Sequence, residues 1–305
     1  MFNNIKEDIL KLKKERNAII LAHYYQPDEV QEIADFVGDS YYLSQKGKEC
    51  SQEVIVFCGV EFMAESAKVL SPDKVVLFSN PKALCPMADM ATKEEVLELK
   101  EKHPNAKVVC YINSSTEVKT VVDVCCTSSS AINIIENIDS DEIIFLPDRN
   151  LGSYIQEQVP DKKLILWDGY CHVHDRITAQ DIIEAKEKYG QDIKVLAHPE
   201  CRKEVRDLAD YVGSTGGIIN FATNDNGNKY LIVTEYGVVH ELKKKNPTKD
   251  FYVLNMCCPN MKKTSLKDVY NCLKDLSNEV VIEEDVRKKA ALSLERMHIL
   301  GENKK

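Results

Sequence analysis

The chain has 305 residues, 44% of them hydrophobic and 29% charged, and a net charge of −9. That length is ample for a buried core, and the acidic balance argues against a nucleic-acid surface, which needs clustered Lys and Arg. No apolar run approaches the roughly 18 residues that span a bilayer, so neither nucleic acid nor membrane is an expected partner.

The first residues, MFNNIKEDILKLKKER, read as a charged amphipathic helix without the apolar stretch of a secretory signal, which points to the cytoplasm. A buried strand follows (NAIILAHYY), then a helix predicted over PDEVQEIADFV, a helix led by Ser40 (SYYLSQKGKE), and strands VIVFCGV and KVVLFSN. The rhythm restarts with KEEVLELKEKHP, AKVVCYIN, SSSAINIIEN, EIIFLPD and KLILWDG, and again with QDIIEAKEKYG, IKVLAHPE, TGGIINFATN, YLIVTE and DFYVLNM. Two helices, SLKDVYNCLKDL and IEEDVRKKAALSLERMHIL, are expected to close the third unit, with a frayed NKK tail. Helix alternating with continuous apolar strand predicts βαβ units and parallel sheets.

The repetition extends to single residues. HYYQPDEVQEIADFVGDS (23–40), YINSSTEVKTVVDVCCTS (111–128) and HPECRKEVRDLADYVGST (198–215) align without a gap, matching Glu29-Val30 with Glu117-Val118 and Glu204-Val205, and Asp35 with Asp123 and Asp210. A period of about 85 to 90 residues suits a small domain rather than a solenoid repeat. The expected fold is therefore α/β: a pseudo-threefold triplication of small three-layer αβα domains with parallel sheets (1–103, 104–189 and 190–305), and an active site at the central junction.

Ligands of parallel sheets bind outside the carboxyl ends of strands. His23, Tyr111 and His198 lie at such ends, with Tyr25, Asn113 and Glu200 two residues on. Ser40, Ser128 and Thr215 stand where helix N-caps are expected. Three in register suggest helix N-termini converging on one anion, a phosphate or carboxylate. From those hydroxyls the next matched feature is a cysteine: Cys85 is 45 residues beyond Ser40, and Cys171 and Cys258 are each 43 beyond Ser128 and Thr215. Eleven cysteines in a reducing compartment are not expected to form disulfides. Cys50, Cys58, Cys110, Cys201 and Cys272 read as small hydrophobes, and Cys125-Cys126 fill repeat positions held elsewhere by Val-Gly. Symmetry sets Cys85, Cys171 and Cys258 apart, because it brings them together around the axis. Three thiolates with a fourth position open suit zinc or an iron–sulfur cluster, and the residues alone leave both standing. GSTGG lacks the Gly-Lys-Ser/Thr of a P-loop.

Several stretches together, AHYYQPDEVQEIADFVGDS, GVEFMAESAKVL, CYINSSTEVK, GYCHVHDR, HPEC with GSTGGI, and CPNMKK, resemble the quinolinate synthase family over essentially the whole chain. The resemblance implies a triplicated α/β fold and condensation of iminoaspartate with dihydroxyacetone phosphate to quinolinate, with loss of phosphate and two waters, in de novo NAD biosynthesis. It implies one 4Fe–4S cluster held by Cys85, Cys171 and Cys258, whose open iron acts as a Lewis acid. It also implies that His23, Tyr25, Ser40, Tyr111, Asn113, Ser128, His174, His198, Glu200 and Thr215 line the site. Within that set we assign Glu200 as general base, His23 and Tyr25 to proton transfer, and the three hydroxyls to phosphate and carboxylates. Tyr111 and Asn113 orient a carboxylate, and His198 adds a donor. His174 is taken over His172, which is read as solvent-facing. Some relatives carry a C-x-x-C-x-x-C run where this chain has NMCCPNM, so no regulatory disulfide is expected. A transient contact with the L-aspartate oxidase that supplies iminoaspartate is compatible with the resemblance, but no residue speaks for it. The rival classes are a zinc- or cluster-dependent hydro-lyase or aldolase acting on another small anion, and an iron–sulfur sensor, whose case is weakened by the potential acids and bases gathered here.

Overall fold

The computed structural model describes residues 5–301; the first four residues and 302–305, with the NKK tail, lie outside the described part. Eight elements follow one another in the same order three times, and because each unit opens on its own helix the second and third begin at Lys93 and Ala179, ahead of the boundaries expected at 103 and 189. The first unit is α1 (Ile5–Glu15), β1 (Ala18–His23), α2 (Asp28–Ile33), β2 (Phe36–Gly38), α3 (Ser40–Glu49), β3 (Val54–Cys58), α4 (Glu61–Leu70) and β4 (Val75–Phe78). The second is α5 (Lys93–Lys102), β5 (Lys107–Tyr111), α6 (Thr116–Lys119), β6 (Val124–Cys126), α7 (Ala131–Asn137), β7 (Glu142–Leu146), α8 (Arg149–Gln158) and β8 (Lys163–Leu166). The third is α9 (Ala179–Tyr189), β9 (Lys194–Ala197), α10 (Lys203–Arg206), β10 (Tyr211–Val212), α11 (Thr215–Asn224), β11 (Lys229–Val233), α12 (Val238–Lys245) and β12 (Asp250–Val253). Helices α13 (Leu266–Asp275) and α14 (Glu284–Gly301) end the chain.

Each unit holds one four-stranded parallel sheet, ordered β2-β1-β3-β4, β6-β5-β7-β8 and β10-β9-β11-β12. The register repeats too: Ala22 pairs with Cys58, Cys110 with Leu146 and Ala197 with Val233. The sequence repeat is thus a repeat of fold. Strands read as unbroken apolar runs because alternate side chains enter different cores. Ile19 and Leu21 face the central core, whereas Ala18, Ile20 and Ala22 face an outer core with Ile9 of α1. The third sheet divides likewise, Leu196 and Ile232 inward, Val195 and Ala197 outward. Helices α5, α9 and α13 each start on a reciprocal cap, Thr92 with Glu95, Thr178 with Asp181 and Ser265 with Asp268, which satisfies donors the first turn leaves free.

Two further expectations are corrected. The helix predicted through Val37 stops at Ile33, and Phe36–Gly38 forms an edge strand. Asp35 is the cause: its carboxylate accepts the Ile20 N–H at 2.9 Å and its own N–H donates to Ile20 O at 2.9 Å, which locks the chain beside β1. Asp123 and Asp210 accept from Val108 (2.9 Å) and Val195 (2.7 Å) in the same way, so this repeated aspartate builds the sheet rather than the site. The C-terminal helices, moreover, do not close the third unit. Helix α13 packs on α1, and its Val269, Cys272 and Leu273 complete the outer core of the first sheet. Helix α14 lies across α4, α6, α7 and β6. The outer face of the third sheet is already covered by α9 and Val173–Ile177. Among the described residues, no helix is long and apolar enough to cross a membrane.

Candidate active site

In the shared strand order the chain leaves β1, β5 and β9 to one side and returns to the other, so each unit has a crevice where the strand order reverses, beyond the strands' carboxyl ends. The three crevices open into one cavity at the junction of the units. Every site residue expected from the sequence lines it: His23, Tyr25, Ser40 and Cys85 from the first unit, Tyr111, Asn113, Ser128, Cys171 and His174 from the second, His198, Glu200, Thr215 and Cys258 from the third.

The cysteines sit on loops that leave the last strand of each sheet. Backbone N–H groups of Ala88 and Met87 meet the Cys85 thiol, that of His174 meets Cys171, and those of Met261 and Asn260 meet Cys258. Such donors favour a thiolate. Burial works the other way: together with Cys258 it pushes Cys85 up to about 12, together with Glu200 it raises Cys171 well above the ordinary thiol value, and it raises Cys258 too. Three half-buried thiols already supplied with thiolate-stabilising N–H donors fit a bound metal, whose charge would reverse that burial effect. Cys171, His174 and Glu200 also offer donor atoms within 4.8 Å of one another. Cys258 lines the cavity, whereas its neighbour Cys257 does not.

A chain of hydrogen bonds crosses the junction. Glu200 accepts from Tyr111 Oη at 2.7 Å and lies 2.8 Å from His174 Nδ1. His174 Nε2 is 2.9 Å from Thr234 Oγ1, which is 2.7 Å from Tyr25 Oη, itself 2.8 Å from Thr215 Oγ1. When His174 donates its Nδ1–H to Glu200 and accepts at Nε2, the other donors follow: Thr234 donates to His174, Tyr25 to Thr234, and Thr215 to Tyr25. Burial opposes the charge on Glu200, yet His198, His174 and the bonds from His174 and Tyr111 hold it well below the usual carboxylate range. Burial lowers His23 to about 3, with His198 and Lys262 adding to it, and lowers His198 to about 3 against the pull of Glu200. Both rings are therefore neutral. Backbone N–H groups of Tyr25 and Glu200 donate to Nδ1 of His23 (3.1 Å) and His198 (3.3 Å), leaving each with Nε2–H as a donor. The buried Asn113 Oδ1 has no protein partner among the described residues.

The family model described as quinolinate synthetase A protein matches residues 7–299. The chain belongs to the quinolinate synthetase A family. The quinolinate synthase of Clostridium novyi (strain NT) is 68% identical over 297 residues, 97% of this chain and 99% of that one. That of Clostridium acetobutylicum is 62% identical over 303 residues, 99% of this chain and 100% of that one. That of Clostridioides difficile (strain 630) is 57% identical over 304 residues, with the same coverage of 99% and 100%.

Within this family's fold, local structure alters two assignments. Ser40 and Thr215 are not N-caps: Asp39 caps α3 through the Tyr42 N–H and Ser214 caps α11 through the Gly217 N–H, while Ser128 lies in the turn before α7. Ser40 and Thr215 are first helical residues, and Thr215 is released to bond Tyr25. His172, read as solvent-facing, is half-buried and lines the cavity.

Other functional candidates went unread. Thr234 completes the relay. Asp148 and Glu235, both fully buried, accept the backbone N–H groups of Cys171 (2.9 Å) and Cys258 (3.2 Å), and Glu235 pairs with Lys262 at 3.1 Å. They follow β7 and β11 at equivalent positions, where the first unit has Val60. Extending the repeat frame to the third strand-type of each sheet would have found them.

Proposed function

We propose that this chain condenses iminoaspartate with dihydroxyacetone phosphate to quinolinate, releasing phosphate and two waters, in de novo NAD biosynthesis. The observation that carries this reading is the junction itself, where three cysteines and the acid–base groups of all three units share one cavity. Cys85, Cys171 and Cys258 would hold a 4Fe–4S cluster, which supplies Lewis-acid polarisation of substrate oxygen or nitrogen when bound. The protein's own groups supply the rest. Glu200, anionic between Tyr111 and His174, removes protons from carbon beside an imine or carbonyl. His174, Thr234, Tyr25 and Thr215 pass protons to and from that base. The Nε2–H donors of His23 and His198 and the hydroxyls of Ser40 and Ser128 suit phosphate and carboxylates, and they are neutral, so they bind anions without holding product as tightly as fixed charges would. Asn113, with its free Oδ1, orients substrate. The eleven free cysteines suit a reducing cytoplasm, and a transient visit by an L-aspartate oxidase remains part of the proposal without a residue assigned to it.

The test is quinolinate formation by anaerobically prepared, iron-loaded protein given dihydroxyacetone phosphate and freshly generated iminoaspartate. Product above the no-enzyme control, abolished by Cys171→Ser, supports the reading; no product from protein carrying four irons sinks it. A second reading draws on the close grouping of Cys171, His174 and Glu200, which suits a single zinc. About one zinc per chain in active, colourless protein would favour it.

A further inference from the structure

Three long polar side chains lie just outside the cavity lining and have no task so far. Gln31, Lys119 and Arg206 are 4%, 0% and 5% exposed. They occupy one position of the repeat, eight residues after His23, Tyr111 and His198. Each folds back to the carbonyl three residues after that same His23, Tyr111 or His198. Gln31 Nε2 donates to Gln26 O at 2.9 Å, Lys119 Nζ to Ser114 O at 2.8 Å, and Arg206 Nη1 to Cys201 O at 2.9 Å. Those carbonyls belong to the loops that carry His23 and Tyr25, Tyr111 and Asn113, His198 and Glu200.

Each side chain also crosses to another unit. Gln31 donates to Gly237 O at 3.0 Å and Arg206 to Asn150 O at 2.8 Å. Gly237 and Asn150 are equivalent, each four residues past the strand residue, Val233 or Leu146, that pairs in register with β9 or β5. By the same register the first unit's counterpart is Phe62, four past Cys58. Lys119 reaches it through a single hydroxyl: Nζ donates to Ser66 Oγ at 3.1 Å, and Ser66 Oγ donates to Phe62 O at 2.7 Å. The first unit thus holds the third, the second holds the first, and the third holds the second.

A buried amide, ammonium or guanidinium ordinarily just satisfies whatever carbonyls surround it. Here three different chemistries bridge the same two carbonyls, so what repeats is the bridge and not the side chain. Its far end is the turn after Val60, Asp148 or Glu235, and the last two of these hold the Cys171 and Cys258 loops. We propose that Gln31, Lys119 and Arg206 are positioning residues, a ring of clasps that sets each unit's strand-end pair of site residues against the facing turn of its neighbour.

The proposal leans on the reaction assigned above for its kinetic readout only. Ser66→Ala cuts the crossing between units and leaves the Lys119–Ser114 bond, whereas Lys119→Met cuts both. In iron-loaded protein, Lys119→Met should lower kcat by about 10- to 100-fold, the cost of a misplaced reacting group, with KM within about threefold. Ser66→Ala should fall part of the way, and the double variant should be no worse than Lys119→Met alone, because both remove one clasp. Lys119→Arg, which restores a donor, should recover most of kcat. Amide exchange should quicken in 61–67 and 111–116 and not in 198–206. Unchanged kcat in the folded, loaded fraction of both single variants overturns the proposal, whatever happens to stability, as does a loss confined to KM. If Lys119→Met does not fold, Ser66→Ala decides by the same criteria. If the wild-type protein makes no quinolinate, the assigned reaction fails and the exchange comparison alone decides the clasp.

Discussion

Thr234 is the sharpest place to cut the relay. Its fully buried hydroxyl lies 2.7 Å from Tyr25 Oη and 2.9 Å from His174 Nε2, and Thr234 lies just past the end of β11. Thr234→Val keeps the shape and removes only the hydroxyl. His174 Nε2 then loses its partner, and Tyr25 keeps Thr215 alone. An unsatisfied buried acceptor costs about 1–3 kcal/mol, which in a chain longer than 250 residues lowers Tm by only a few degrees. Activity should fall much further. Positioned acid–base catalysis is worth about 10²–10⁴ in rate, so a broken relay should lower kcat by roughly 10²-fold, at the low end of that range because Glu200 keeps Tyr111 and His174. The assay is anaerobic quinolinate formation, with iron per chain measured on the same sample. Thr234→Ser, which returns the hydroxyl, should bring kcat back to within a few-fold. A Thr234→Val protein with full iron and a wild-type kcat, its Tm lowered as expected, would refute the relay and reduce Thr234 to packing.

Cys258→Ser should lose bound iron while Cys257→Ser keeps it, because only Cys258 faces the cavity; full iron in Cys258→Ser would shift the ligand assignment by one residue. His23 and His198 are lowered to about 3 in the folded state, from an ordinary 6.5. The unfolded chain therefore binds more protons between those values, and the stability present above pH 6.5 is lost as pH falls toward 3. From pH 7 to pH 5 each ring should account for about 2 kcal/mol of lost stability. Urea unfolding of metal-free His23→Gln should show that much less pH dependence than wild type, and an equal dependence would sink the assignment. Leu273→Ala should cost about 2–5 kcal/mol, because the side chain is fully buried in the outer core of the first sheet; a loss under about 1 kcal/mol would contradict the docking of α13 there.

Much of the architecture was legible in one dimension because the chain states it three times. Continuous apolar runs mark strands buried on both faces, and the gapless frame at 23, 111 and 198 brought together residues that share a strand end. Where a local rule competed with tertiary context, the rule lost. Asp35 looked like a helical residue but ends α2 by pairing with Ile20, and Ser40 and Thr215 looked like caps until their neighbours Asp39 and Ser214 took that role.

What the sequence determined by itself is what periodicity carries: the α/β units, their number, and which polar residues sit at strand ends. Burial and spacing decide those matters locally, within one unit. The tertiary structure alone decided how the units meet. Thr234 has no partner within its own unit in the relay, since it joins Tyr25 of the first to His174 of the second, and Lys119 finds Phe62 only through a hydroxyl of α4. Contacts across units leave no period in the chain, because each depends on the docking of surfaces far apart in sequence, and so the site's wiring appears only once the three sheets close on one another.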